Sequence, residues 1–304
     1  MVNNIRTPQF AGRVYSADPT LLTQDIAEIL ALEPLAQVPD PKKLRVLKVP
    51  HIDYYRGHRS YGRGYQLLKD AAFDVIFLMG TSHQLGSSLF IGTESHYSTP
   101  LGTQQSDATI MRELAARYGE RLFHEQTLHT HEHSLELQLP FITHLLPNTR
   151  LVPILVGSFH HFYHLDRHTV EPYTSFLTAM TALLEALDQQ QLRYGFIAGV
   201  DMAHVGGYFG DPGRLTDERA VHIQNLDQAY LEHIAARDPD KLFAHCVVDN
   251  DAQRMCGHAT MVTICDILAR RGETLTPYLA AYEQCFTADN DCLVSIASLG
   301  LYTR

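Results

Sequence analysis

The sequence predicts an α/β fold: one domain, with a mainly parallel central sheet flanked by helices. Three observations carry this. Apolar strand-like runs alternate along the 304 residues with segments whose hydrophobic residues recur at helical spacing. Three of those runs, 44–49, 75–80 and 196–200, lead into loops that hold His51, His83 and His204. The last two strand-like stretches, about 274–285 and 293–301, follow each other with no helix between, as an antiparallel pair at a sheet edge would. No internal repeat or low-complexity linker marks a second domain, so 1–304 reads as one unit.

The elements follow in order. Residues 1–40 form an N-terminal lead-in with one amphipathic helix, on which Leu21, Leu22, Ile26, Ile29 and Leu30 repeat at helical spacing. Pro34, Pro39 and Pro41 break the chain before the first strand. After His51, Gly57, Gly62 and Gly64 suggest a loop, then a helix over 65–72. Residues 88–92 suit a short edge strand, and 107–117 a helix with Ile110, Met111, Leu114 and Ala115 on one face. A helix over 132–146 must accommodate Pro140. Residues 151–156 form a strand and 173–187 a helix; 217–236 and 239–247 are helical. Cys256 opens a last helix that ends near Arg271-Gly272.

Composition narrows the function classes. The formal charge of −10 and the lack of any Lys/Arg-rich run argue against nucleic acid as a partner. No apolar run reaches the roughly 18–20 residues that span a bilayer. The N-terminus lacks the basic and apolar parts of a signal peptide, so a cytoplasmic protein with no membrane partner is expected. The 5 cysteines are odd in number and contain no CxxC, which fits free thiols in a reducing compartment. Histidine is abundant at 18; His160, His161, His164 and His168 read as solvated.

The remaining histidines hold the chemistry. Ligands of open α/β sheets bind beyond the carboxyl ends of the strands. Three imidazoles and a thiol at that edge make a candidate metal or acid–base centre. His51 and His83 sit in equivalent βα loops, where one ring nitrogen can face the crevice while an acceptor holds the other. Cys256 precedes a helix, whose N-terminus favours the thiolate; burial as a small apolar residue is the competing reading. Cys265, between Ile264 and Ile267, reads as core. Asp201 and His204 suit an acid–base pair, or a local backbone cap. His133 and Glu136 share a helix face, and His129 and Glu132 add to a polar cluster. HExxH, the P-loop, GxGxxG and GxSxG are absent.

At these residues the chain resembles the Memo family, the B component of the group named AmmeMemoRadiSam. The resemblance runs from about residue 45 to the end. It is carried by Pro50-His51-Ile52-Asp53-Tyr54, Gly80-Thr81-Ser82-His83, Thr99-Pro100-Leu101-Gly102, and Glu132-His133-Ser134-Leu135-Glu136 with Gln138-Leu139-Pro140-Phe141. It continues through Val152-Pro153-Ile154-Leu155-Val156-Gly157, Asp201-Met202-Ala203-His204 and Cys256-Gly257. The resemblance implies a fold similar to class III extradiol dioxygenases, which use non-haem iron. It also implies a metal site of two histidines and a cysteine, at His51, His83 and Cys256 here. His133, Asp201 and His204 then fall beside that site as catalytic candidates. The chain departs from the family's first motif in having Ile52 and Asp53 where Ala and Gly are usual, which places Asp53 and Tyr54 in the substrate pocket.

Two imidazoles and a thiolate suit a transition metal, iron first, with copper or zinc as alternatives, and disfavour magnesium or calcium. Three protein ligands leave positions open for substrate. The expected function is a metal-binding Memo-like oxidoreductase, related to the extradiol dioxygenases, acting on an unidentified small molecule. The alternatives are a zinc-dependent hydrolase or lyase on the same scaffold, and a non-catalytic protein that binds phosphopeptides or other partners. The family name implies radical-SAM and AMMECR1-like partner proteins.

Overall fold

The computed structural model describes residues 4–84, 86–287, 289 and 291–304. The first three residues, where the signal-peptide reading begins, lie outside that range. Strands β1 (Ile5–Arg6), β5 (His96–Thr99) and β6 (Gly102–Gln104) make a small sheet. The large sheet holds β2 (Leu44–Val49), β3 (Val75–Thr81), β4 (Phe90–Gly92), β7 (Arg150–Val156), β8 (Tyr194–Gly199), β10 (Leu275–Phe286) and β11 (Leu293–Thr303). Its order is β10-β11-β2-β8-β3-β7-β4, and the short β9 (His204–Val205) pairs with β11.

The sheet is mixed rather than mainly parallel, and the antiparallel pair expected at its edge is β10 with β11. Only β2, β8, β3 and β7 run parallel to one another; β4, β9, β10 and β11 pair antiparallel. The cause is connection length. A parallel pair needs a crossover of roughly a dozen residues or more, whereas only residues 287–292 separate β10 from β11.

Helices cover both faces. Alternate residues of β3 and β7 show why: Phe77, Met79, Val152 and Ile154 enter one core, Ile76, Leu78, Leu151 and Leu155 the other. The first core takes α3 (Ala108–Tyr118), α6 (Glu171–Gln189), α7 (Asp217–Ala236), α8 (Pro239–Val247) and α9 (His258–Arg270). The second takes α1 (Pro19–Leu30), α2 (Tyr54–Gln66), α4 (His133–Glu136) and α5 (Leu139–Leu145). No helix of the described residues is long and apolar enough to cross a membrane.

Three local expectations change. The glycine-rich stretch after His51 is α2 itself, not a loop before a later helix. Asp53 caps it by accepting from the Arg56 amide at 3.0 Å, and Tyr54, Tyr61 and Tyr65 face the core. Gly62 is required there because a Cβ would stand 2.2 Å from the Ile29 carbonyl oxygen of α1. The single helix expected over 132–146 is two, with Pro140 in the first turn of α5, where its missing N–H costs nothing. The final helix starts at His258, just after Cys256-Gly257.

The N-terminal lead-in is tied to the middle of the chain by buried charge. Arg6 pairs with Glu136 and donates to the carbonyls of His129 (2.8 Å) and Glu132 (3.0 Å). Glu136 also accepts from the amides of Gln9 and Phe10 and from the Tyr15 hydroxyl. Glu136 therefore faces this segment and does not join His133, contrary to the shared face their spacing suggested.

His129 is buried nearby. Its Nδ1 accepts from the Tyr97 hydroxyl at 2.6 Å and its Nε2–H donates to the Ile91 carbonyl at 3.0 Å. Burial pushes its pKa down to about 4, with the Arg6 charge adding to the depression. Its folded value lies below its unfolded value of about 6.5, so its contribution to stability is complete above pH ~6.5 and is lost as pH falls toward 4. The full effect is on the order of 3 kcal/mol. Urea midpoints should fall between pH 7 and pH 5, and His129→Gln should remove about one proton from the uptake on unfolding. An unchanged pH slope in that variant would refute the assignment.

Candidate metal centre

Parallel alignment places the site. β2, β8 and β3 are neighbours, so the loops after them emerge side by side at one edge, with Val49 and Gly80 both registered on Gly199. His51 follows β2, His83 follows β3, and Asp201 and His204 follow β8. α4 lies across these strand ends. Gly199 permits this, because a Cβ there would stand 2.4 Å from the Ser134 carbonyl oxygen. α4 thereby brings in His133, and the turn before α9 brings in Cys256.

The structure gathers His51, His83 and Cys256 so that one ligand atom from each lies within 4.8 Å of the others. Bonds of about 2.0–2.3 Å in a tetrahedral site would set ligands about 3.3–3.8 Å apart, so only small movements are needed. The rings of His51, His83 and His133 form a tight triangle, with centroids 4.9, 5.0 and 4.6 Å apart.

Each ring is held from behind. His51 Nδ1–H donates to the Gly199 carbonyl at 2.8 Å, which leaves Nε2 as the free basic nitrogen. That Nε2 lies 3.2 Å from Cys256 Sγ. His83 Nδ1 lies 3.0 Å from Glu132 Oε1, and His133 Nδ1 lies 3.2 Å from the same oxygen. Glu132 also accepts from the amides of His83 (2.8 Å) and Ser134 (2.9 Å). His83, Glu132 and His133 are close enough to form a second ligand group. Because Glu132 already serves two amides, its geometry is that of a clamp on the two rings.

Asp201 is a backbone bracket more than a partner of His204. One oxygen accepts from the His51 amide at 2.7 Å; the other lies 3.8 Å from His51 Nε2 and 4.0 Å from His204 Nε2. The His204 ring is oriented instead by the carbonyls of Met202 (3.0 Å) and Arg254 (3.1 Å), which face its Nδ1. Arg254 stands in left-handed backbone (φ 51°), donates to the His204 carbonyl and pairs with Asp211. It fastens the Cys256 turn to the His204 strand, a role no sequence motif signalled.

Electrostatics favour the uncharged forms of His51 and Cys256 until a cation arrives. Burial, then the His83 and His133 charges, hold the His51 pKa well below its ordinary value. Burial also lowers His133 and His204. Burial opposes charge on Glu132, but the His83 hydrogen bond and the charges of His83 and His133 outweigh it and hold this carboxyl well below the usual range. Burial pushes the Cys256 thiol well up, with the Asp201 charge adding to the rise. The expected helix-favoured thiolate is therefore corrected: the helix begins too late, and desolvation decides. A bound cation reverses that balance. Beneath the site, buried Lys48 donates to the carbonyls of Val200 and Ala297, and burial lowers its pKa to about 8.

His51, His83, His133, Asp201 and His204 line a cavity of about 1050 Å³. Its other walls are largely apolar, from Phe10 and Val14 of the N-terminal lead-in to Phe209 and Phe286. Asp53 lines it too, but its carboxylate is occupied as the α2 cap and by Arg56 Nε at 2.6 Å. Tyr54 was expected in the pocket and is not there. Its ring packs against Tyr61 and Phe141 and its hydroxyl donates to the Leu137 carbonyl, while Tyr55 lines the cavity instead. Phe10 and Val14 had no signal in the sequence, because the Arg6–Glu136 pair that seats them spans most of the N-terminal half.

Fold and site together define an α/β protein with a His/His/Cys cluster, able to hold a metal ion, at the open edge of its sheet. The family profile described as Memo-like protein matches residues 6–300, and the chain belongs to that family. It is similar to a MEMO1 family protein of Aquifex aeolicus, 26% identical over 98% of this chain and 73% of the relative. A MEMO1 family protein of Thermococcus onnurineus is 26% identical over 97% of this chain and 98% of the relative. One from Sulfolobus acidocaldarius is 33% identical over 50% of this chain and 57% of the relative.

Replacing Glu132 with Gln removes the charge that holds His83 and His133. Metal affinity, measured by chelator competition, should weaken by about 10–100-fold with the fold retained. Unchanged affinity would mean that Glu132 is not the clamp.

Proposed function

We propose that the chain is a mononuclear transition-metal oxidoreductase related to class III extradiol dioxygenases, with His51, His83 and Cys256 as ligands. Iron is the first choice and copper the alternative; zinc fits the same ligands but would direct the site to hydrolysis instead. The observation that carries the reading is the convergence of two imidazole nitrogens and one sulfur, with the imidazoles lining a large, mostly apolar cavity. The donor set fits a borderline-soft metal, which when bound supplies Lewis acidity and, for iron or copper, electron transfer.

The chain's own residues do the rest. The aromatic walls bind an apolar, preferably aromatic, substrate and exclude water from it. His204 is fixed through Nδ1, so its Nε2 is the nitrogen that accepts or returns a proton. His133 stands across the His triangle as the second acid–base group, with Glu132 to stabilise its charged form. Asp201 holds the His51 loop in place and faces both imidazoles with its free oxygen. A phosphopeptide role has less support, because Arg56 in the cavity is already neutralised by Asp53.

Protein purified without oxygen should hold about one metal ion per chain by elemental analysis. His51→Ala and Cys256→Ser should each reduce this at least tenfold while melting cooperatively. Oxygen uptake should then appear with a panel of catechols. Zinc alone with oxygen-independent turnover would replace the redox reading with hydrolysis, and a metal-free wild type would sink both.

A further inference from the structure

Charge is scarce in the large cavity. Among the described residues that line it, Arg56 is the only Lys or Arg, and Asp53 and Asp201 are the carboxylates. Its four histidines bring no unbalanced positive charge. Burial holds His51, His133 and His204 toward their neutral forms, and Glu132 stands 3.0 Å behind the His83 ring. Lys48 lies beneath the centre, but it is fully buried and donates to two backbone carbonyls, so no ligand reaches it.

Asp53 holds Arg56 from both ends. One carboxylate oxygen accepts from the Arg56 amide at 3.0 Å, and the other takes the guanidinium Nε at 2.6 Å. The two side chains are 36% and 31% exposed, so a ligand at this wall meets a neutral pair and not a bare guanidinium. Asp201 adds a second carboxylate, 3.8 Å from His51 Nε2 and 4.0 Å from His204 Nε2. An anionic substrate would therefore leave water for a wall with two carboxylates and no unpaired cation, where its charge finds no partner. An uncharged ring loses little by the same transfer. The volume of about 1050 Å³ admits both, so charge and not size makes the choice.

We propose that the cavity selects uncharged aromatic substrates and rejects those bearing a carboxylate or phosphate, and that Asp53, by engaging Arg56, is the residue that sets this choice. The inference rests on the reading of this cavity as the substrate site. It does not depend on which metal binds or on any turnover. It also gives a purpose to Asp53, which stands where the family's first motif usually has Gly.

Calorimetric titration of the metal-free full-length chain at pH 7 tests it with two probes of one ring system. 2-Naphthol is uncharged at that pH, and 6-hydroxy-2-naphthoate carries a carboxylate. The naphthoate should bind about tenfold more weakly or worse. Asp53→Asn keeps the cap, because the Asn side-chain oxygen accepts the same amide, but it leaves Arg56 unpaired. It should shift the affinity ratio about fivefold or more toward the naphthoate. Adding Arg56→Gln should return the ratio to within about twofold of wild type, since the pair is then neutral again. Asp53→Ser, which also caps, serves should Asp53→Asn misfold, with cooperative melting as the check. Val14→Trp should weaken 2-naphthol, which places the binding in this cavity. No binding of 2-naphthol, equal affinities of the two probes, an unmoved ratio in the folded Asp53 variant, or binding indifferent to Val14→Trp would overturn the proposal. A chain that holds no metal yet keeps the charge ranking would sink the oxidoreductase reading and leave this selection standing.

Discussion

The buried carboxylate of Glu132 is the interaction on which the centre depends. It accepts from two amides and faces two imidazoles, and so joins the loop after β3 to the start of α4. Without that charge, His83 and His133 would crowd each other at a centroid distance of 4.6 Å with nothing to fix their tautomers. The charge survives burial because two amides and the His83 ring nitrogen bond to it and the His133 ring faces it, the condition under which a desolvated carboxylate stays ionised.

The same segment is fastened from the other side. Arg6 holds the carbonyls of His129 and Glu132 and pairs with Glu136, so the N-terminal lead-in becomes a wall of the cavity. A candidate metal centre built on strand ends is thus closed by a segment that contributes almost nothing to the large sheet. Binding and catalysis are commonly placed on loops positioned by a rigid scaffold. Here the scaffold is the set of four parallel strands, and the positioned loops are stiffened by buried charge.

Much of the site was legible in the residues themselves. His51, His83 and His204 each follow an apolar run, and a strand's carboxyl end is where a parallel sheet offers its ligands. The resemblance to a known family added the ligand assignment of His51, His83 and Cys256 and set His133 beside them. Three kinds of feature were not legible. The glycines of α2 look like a loop in sequence, because their purpose is a close helix crossing that only Ile29 reveals. Tyr54 and Tyr55 are adjacent and chemically alike, and only the rotation of α2 sends the first to the core and the second to the cavity. For Cys256 the sequence left open a thiolate beside a helix start or a thiol packed as a small apolar group, and desolvation, which no local pattern encodes, favours the neutral thiol.

The sequence alone determined which side chains could ligate and which strands would deliver them, because period-2 and helical hydrophobic patterns are local properties of the chain. Tertiary structure decided the rest: that β4 and β9 also pair antiparallel, that Glu132 rather than Glu136 serves the histidines, and that the imidazoles but not Cys256 line the large cavity. Those outcomes rest on contacts between residues far apart along the polypeptide and on desolvation, and neither exists until the chain has folded.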